Sequence, residues 1–108
     1  MNIEEIQVFG FGSFFTESQT YNDIDLLLLH NDLSMPSRRF ALACKRVLSD
    51  SPLNLHITIL SIPEERSLKF LLRSRATKIH VIHSNHVVKD VDCLLRMIGA
   101  KASAKMDE

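Results

Sequence analysis

Two aspartates are the residues whose type and spacing point most directly to chemistry. Asp23 and Asp25 are separated by one residue and are followed directly by four leucines. Such a run is typical of a central strand covered on both faces, and residues i and i+2 of a strand share a face about 7 Å apart. Two carboxylates at this distance repel each other unless a cation lies between them. Mg²⁺ accepts one or two carboxylates and completes its shell with water and phosphate oxygens, so the pair predicts a Mg²⁺ site.

A Gly-Ser pair precedes the aspartates in the chain. Gly12 permits a tight turn and a close approach of the backbone to a ligand. The N–H groups of such a turn and the Ser13 hydroxyl can donate to phosphate oxygens. Gly12 and Ser13 are therefore predicted to hold phosphates beside the metal site.

The surrounding residues predict the strands and helices that position this site. β-Branched, leucine-rich and aromatic segments predict strands over 6–11, 23–30, 53–60 and 78–83. Helical spacing predicts helices over 36–49, from 61 to about 75, and from 87 to a glycine cap at 99. The second of these helices begins with a capping-box spacing of Ser61 and Glu64. The sequence thus predicts an α+β fold, with a mixed sheet of about four strands flanked by about three helices.

These residues together resemble a known signature. Phe11-Gly12-Ser13, a spacer and then Asn22-Asp23-Ile24-Asp25-Leu26 resemble the DNA polymerase beta-like nucleotidyltransferase superfamily, in which Gly and Gly or Ser precede an Asp-x-Asp strand. The resemblance is close over the first 30 residues and looser to about residue 84. It implies the nucleotidyltransferase fold and the transfer of a nucleoside monophosphate from a nucleoside triphosphate (NTP) to a hydroxyl of a protein or nucleic acid. It also implies that Gly12 and Ser13 hold the terminal phosphates while Asp23 and Asp25 ligate two Mg²⁺ ions.

One feature of the superfamily has no counterpart in the chain. The superfamily places a third acidic residue on a neighbouring strand, but the polar face of the predicted third strand offers Asn54, His56 and Thr58. His56 is the candidate replacement, because a neutral imidazole can ligate a metal or accept a proton near neutral pH. It is a poorer Mg²⁺ ligand than an oxygen, and lone histidines are more often hydrogen-bonded face residues than ligands.

Two classes of function follow from this departure. The first is an enzyme in which Asp23 and Asp25 are metal ligands. The second is a catalytically impaired nucleotidyltransferase-fold protein that acts by binding a partner. The short chain resembles minimal nucleotidyltransferases encoded as antitoxins, so this second class implies a helical toxin-like partner or a second copy of the chain.

Other side chains have both a structural and a functional interpretation. His80, His83 and His86 have three-residue spacing, but i and i+3 face opposite ways on a strand, which disfavours a metal site. Phe14 and Phe15 either stack on a base or fill the core.

Charge is balanced over the whole chain. The 13 basic and 13 acidic residues give a formal net charge of zero, so no global field attracts nucleic acid or membrane. Arg66, Lys69 and Arg73 fall on one predicted helical face. They are either solvated, which we favour, or guide a triphosphate or a nucleic-acid acceptor.

Length and composition indicate one domain. The 108 residues, 45% of them apolar, predict a single core over residues 1–99 with a frayed tail over 100–108. Cys44 and Cys93 follow neither a metal-ligand nor a secreted spacing, which predicts reduced packing residues in a cytoplasmic protein. No apolar run approaches the roughly 20 residues that a membrane span needs, and no secretory signal is recognised.

Overall fold

A computed structural model describes residues 3–16 and 20–106, and within them the chain forms four strands and four helices. The strands are β1 (Glu5–Phe11), β2 (Ile24–His30), β3 (Leu55–Ser61) and β4 (Thr77–His83). The helices are α1 (Met35–Ser49), α2 (Ile62–Leu68), α3 (Phe70–Ser74) and α4 (Val87–Met106), and a short 3-10 helix spans Ser13–Phe15. The α+β class is therefore confirmed, with one helix more than predicted.

The four strands form one mixed sheet in the order β3-β2-β1-β4. β1 is antiparallel to both β2 and β4, whereas β2 and β3 are parallel. The leucine run lies in β2, with all four leucines buried. This placement confirms the prediction of an interior strand covered on both faces.

Helices cover the two faces of the sheet unequally. α1 and α4 pack on one face, here called the α1–α4 face, where Val8, Leu26 and Leu28 meet Cys44 and Leu94. α2 and α3 pack on the other, the α2–α3 face. There a smaller cluster of Phe9, Leu27, Leu29 and Leu60 is covered by Ile62, Phe70, Leu71 and Ala76. Alternation along β2 places Asp25 on this second face, together with Leu27 and Leu29.

The second predicted helix is broken into two. Its capping box is confirmed, because the Ser61 side chain accepts from the Glu64 N–H and the Glu64 carboxylate accepts from the Ser61 N–H. The prediction of one continuous helix to about residue 75 is wrong, since Lys69 adopts a left-handed conformation with φ 51° and ends α2. The break turns Phe70 and Leu71 onto the sheet. Tertiary packing here outweighs local helix preference.

The end predicted for the last helix is also wrong. Gly99 lies inside α4, which continues to Met106, so residues 100–106 are helical rather than a frayed tail. A glycine within a helix costs only about 1 kcal/mol relative to alanine, and Ala102 in the extension packs against the core. No helix of the described residues is long and apolar enough to span a bilayer.

The two cysteines differ in environment. Cys44 is buried in the core, and its burial raises the pKa of the thiol to about 12. Cys93 is exposed on α4, so its prediction as a packing residue is wrong.

A buried histidine at the end of β2 predicts an acid-sensitive fold. His30 is 4% exposed, its Nδ1 lies 2.8 Å from Ser37 Oγ, and burial lowers its pKa below the usual 6.5. Above about pH 6.5 the ring is neutral in both states. Below it the unfolded chain takes up the proton first, so stability falls as the pH drops from about 6.5 toward the folded pKa.

We expect the melting temperature of the wild-type protein to fall as the pH is lowered from about 7 to about 5.5. The melting temperature of the His30→Gln variant should fall less steeply over this interval. Thermal unfolding followed by circular dichroism measures both. His86→Gln, at an exposed histidine, is the control and keeps the wild-type slope. Equal slopes for wild type and His30→Gln would contradict the assignment.

Candidate functional site

Three predicted site residues meet where β2 and β3 begin. Asp25 and His56 are partners in the parallel ladder, and His56 Nδ1 lies 3.1 Å from Asp25 Oδ1. Asp23 directly precedes β2, and one ligand atom from each of the three lies within 4.8 Å of the others. Among the residues that the structure describes, this is the one group of three or more potential metal ligands. The candidate site is therefore assembled from two segments about 30 residues apart in sequence.

Backbone and amide hydrogen bonds hold these two segments together. The Ile24 N–H donates to the Asn54 carbonyl at 2.9 Å, and the Asn54 side-chain amide donates to the Asn22 carbonyl at 2.8 Å. Asn54 therefore ties the approach to β3 to the approach to β2 on both sides of Asp23. Sequence reasoning placed Asn54 on the polar face of a strand without giving it this positioning role. Its location two residues before His56 was the available signal.

Gly12 lies directly against Asp25. Phe11 is the ladder partner of Asp25, and Gly12 follows with φ 79°, a conformation that side chains rarely adopt. A Cβ at position 12 would collide with Asp25 Oδ2. The absence of a side chain is what lets this turn approach the carboxylate. Ser13 follows as the exposed first residue of the 3-10 helix.

The two phenylalanines after Ser13 belong to the core. Phe14 is fully buried, with ring centroids 5.0 Å from Phe15 and 4.8 Å from Tyr21. Phe15 is half-buried against the face of Gly10, where an added Cβ would lie 2.7 Å from its ring atoms. Of the two interpretations of these rings, the structure supports core filling.

Two of the three later histidines contact the same residue, Asp90. His83 Nδ1 lies 2.9 Å from Asp90 Oδ2, whereas His80 Nε2 lies 2.9 Å from the Asp90 backbone carbonyl. Hydrogen bonds from His83 lower the pKa of Asp90. His86 is exposed just before α4. These contacts anchor the start of α4 to β4.

The basic residues predicted on one helical face are separated by the helix break. Arg66 lies in α2, Lys69 in the left-handed turn and Arg73 in α3, and all three are exposed. A cleft of about 410 Å³ at the opposite end of the sheet, lined by Glu4, Gln7 and Asn31 among others, includes none of the predicted site residues.

The ligand types suit a divalent cation, and the three side chains would have to move slightly closer together to bind one Mg²⁺ ion. Two oxygens on opposite sides of one Mg²⁺ lie about 4.2 Å apart, twice the usual metal–oxygen distance of about 2.1 Å. The separations of up to 4.8 Å among the three ligand atoms exceed this span only slightly. Asp25 is 20% exposed and His56 66% exposed, so the carboxylate is the enclosed member and the imidazole lies toward solvent.

Gly12→Ala tests the close approach of the turn to Asp25. A methyl group there must displace the carboxylate, and φ 79° adds about 1–2 kcal/mol of backbone strain. We expect the free energy of unfolding, measured by urea titration, to fall by at least about 1 kcal/mol. We also expect the variant to bind Mn²⁺ more weakly than wild type does. Gly99→Ala is the matched control, since a Cβ there meets nothing within 4 Å, and the helix should gain about 1 kcal/mol. A Gly12→Ala protein as stable as wild type would refute this description of the turn.

Comparisons with known proteins identify no relative of this chain. The chain has no significant match among protein-family models, curated proteins or solved structures. The geometry of Asp23, Asp25, His56 and Gly12 is therefore the basis for a functional proposal.

Proposed function

We propose that the chain is a Mg²⁺-dependent nucleotidyltransferase with the DNA polymerase beta-like fold. It transfers a nucleoside monophosphate from an NTP to a hydroxyl of a protein or nucleic acid. The single observation that carries the proposal is the Gly12 turn lying against Asp25 in a cluster that also contains Asp23 and His56. This arrangement places a glycine turn beside two hard oxygen ligands, which supports a phosphate and metal site.

In this proposal each residue has a defined role. Asp23 and Asp25 would hold the Mg²⁺ ions, two of them by the family resemblance, and bound Mg²⁺ would neutralise phosphate charge. The turn at Gly12 and the Ser13 hydroxyl hold the terminal phosphates. His56 completes the ligand set or accepts the proton of the attacking hydroxyl.

The proposed transfer conserves atoms and charge. The acceptor oxygen forms a bond to the α-phosphorus, and the bond from that phosphorus to the bridging oxygen breaks. Pyrophosphate leaves with the bonding electrons, and the hydroxyl proton passes to His56 or to water. The position of His56 Nδ1, 3.1 Å from Asp25 Oδ1, is compatible with either role for the imidazole.

Label transfer tests the enzyme directly. Wild-type protein is incubated with each of the four α-³²P-labelled NTPs, Mg²⁺ and a candidate protein or RNA acceptor, and acid-stable label on the acceptor is counted. We expect transfer by wild type and none by the Asp23→Ala, Asp25→Ala double variant. Unchanged transfer by the double variant would reject the proposed chemistry.

A second candidate function is favoured by one observation. The exposed face of β3 offers His56 and Thr58 but no third carboxylate near Asp25. In this alternative the chain is an impaired nucleotidyltransferase-fold protein that keeps nucleotide affinity and docks on a helical toxin-like partner or a second copy, in the cytoplasm. Co-purification of the native protein with a partner, and no label transfer, would favour it.

His56→Asp distinguishes the two candidates. The substitution places an oxygen ligand at the ladder position paired with Asp25, which suits Mg²⁺ better than nitrogen. If the chain is an impaired relative, Mg²⁺-dependent label transfer should appear or rise in this variant. If His56 is itself the functional group of an active enzyme, transfer should fall.

A further inference from the structure

The residues of the candidate site include two carboxylates, Asp23 and Asp25, but no lysine or arginine. A triphosphate held there adds further negative charge beside Asp23 and Asp25, so cationic groups are needed on the phosphate side. The positions directly after Gly12-Ser13 supply none, because Phe14 and Phe15 belong to the core. Lys101 and Lys105 lie over the Phe14 ring, at 6.0 and 5.5 Å, and so belong to the α1–α4 face.

The segment from α3 to β4 returns to the site on the α2–α3 face of the sheet, the face that carries Asp25. α2 leaves the far end of β3, and the chain reaches β4 at Thr77, whose ladder partner is Gly10. The α3–β4 connection therefore lies at the same end of the sheet as the Gly12 turn. Residues 66–78 carry five basic side chains and no acidic one, which gives this segment a local positive charge in a neutral chain.

Ring contacts connect this segment to the metal site. Phe11 is the ladder partner of Asp25, and partners in adjacent strands share a face. The Phe70 ring of α3 meets the Phe11 ring edge-on, with centroids 5.2 Å apart. Phe70 also lines a shallow hollow of about 290 Å³ together with Leu68, Arg73 and Ser74. Arg73 thus lies next to Phe70, whose ring contacts Phe11, the ladder partner of Asp25.

Strand register places a second cation. Lys78 is the ladder partner of Phe9, which puts it on the α2–α3 face. Within residues 3–16 and 20–106, no carboxylate forms an ion pair with Arg73 or Lys78.

We propose that Arg73 and Lys78 form a basic rim that binds phosphate groups at the edge of the Asp23–Asp25 site. This inference rests on the proposed function for the identity of the neighbouring site, and it adds the missing cationic groups. The shared ligand chemistry is phosphate, from either the triphosphate of the nucleotide or the backbone of a nucleic-acid acceptor. The rim is supplied by a segment that lies far from the Gly-Ser pair in sequence.

Charge reversal with a matched control tests the rim. The variant Arg73→Glu, Lys78→Glu is compared with Lys45→Glu, Arg46→Glu, which reverses one lysine and one arginine on the exposed surface of α1, the helix of the α1–α4 face. A fluorescent ATP analogue with Mg²⁺ and a fluorescein-labelled single-stranded oligonucleotide are the two probes, each titrated at two salt concentrations. We expect the rim variant to lose at least about 10-fold in affinity for one probe, since hydrogen bonds to charged groups contribute strongly. The α1 variant should stay within about 2-fold of wild type.

Each outcome has a defined meaning. Loss confined to the ATP analogue supports the rim with the triphosphate as its ligand, and loss confined to the oligonucleotide supports it with the acceptor backbone. Equal losses in both charge variants, an unaffected rim variant, or no binding of either probe by wild type would overturn the rim. Rim-dependent binding without label transfer by wild type would overturn the enzyme and leave the rim standing. Arg73→Gln, Lys78→Gln, checked by circular dichroism, repeats the test if the reversed variant does not fold.

Discussion

Asp25→Asn is expected to lower the affinity of the chain for Mn²⁺, used as a probe for the divalent site, by at least about 100-fold. Asparagine keeps the shape of the side chain and removes its charge. Loss of an outer partner of a metal ligand alone costs about 10- to 100-fold, so loss of the charged ligand should reach or exceed the upper end. Asp25 is also the member of the cluster that contacts both the Gly12 turn and His56.

The measurement is a calorimetric or electron paramagnetic resonance titration with Mn²⁺, repeated in competition with Mg²⁺. Asp92→Asn removes the same charge from an exposed carboxylate of α4 that pairs with Arg96, and it is the matched control. We expect the control to bind Mn²⁺ as wild type does. Equal affinity in the Asp25→Asn and Asp92→Asn proteins would show that the cluster is not a metal site, whatever its enzymatic activity.

Phe14→Ala is expected to cause a loss of stability of about 3–5 kcal/mol, the usual range for removing a buried aromatic side chain. Phe14 is fully buried and makes edge contacts with Phe15 and Tyr21. A domain of this size has about 5–15 kcal/mol in total, so the variant approaches the limit of folding. The expected fall in melting temperature is more than about 12 °C.

Urea and thermal unfolding measure this effect. The Phe14→Leu variant keeps most of the buried volume, so its loss of stability should be less than half of the loss in Phe14→Ala. The experiment also distinguishes the two interpretations of the ring. A residue that stacks on a nucleotide base would change nucleotide binding while stability stayed within about 1 kcal/mol of wild type. That result would contradict the position of Phe14 in the core.

Local sequence patterns predicted most of the elements. The period-2 pattern of β3, the leucine run of β2 and the Ser61–Glu64 capping box all depend on residues two to four positions apart, and each is found where it was predicted. The helix ends were predicted less well. Two residues show why. Lys69 ends a helix because Phe70 packs on the sheet. Gly99 lies within a helix because a single glycine costs a helix only about 1 kcal/mol.

The candidate chemistry could be predicted from residue types, because the side chains of Asp23, Asp25 and His56 and the bare backbone of Gly12 limit what they can bind. That these residues meet could be learned only from the folded chain. The pairing of Asp25 with His56 joins residues 31 apart, and it depends on the parallel register of β2 and β3. That register follows from burial of both faces of the sheet at once, a property of the assembled fold that no short window of sequence contains.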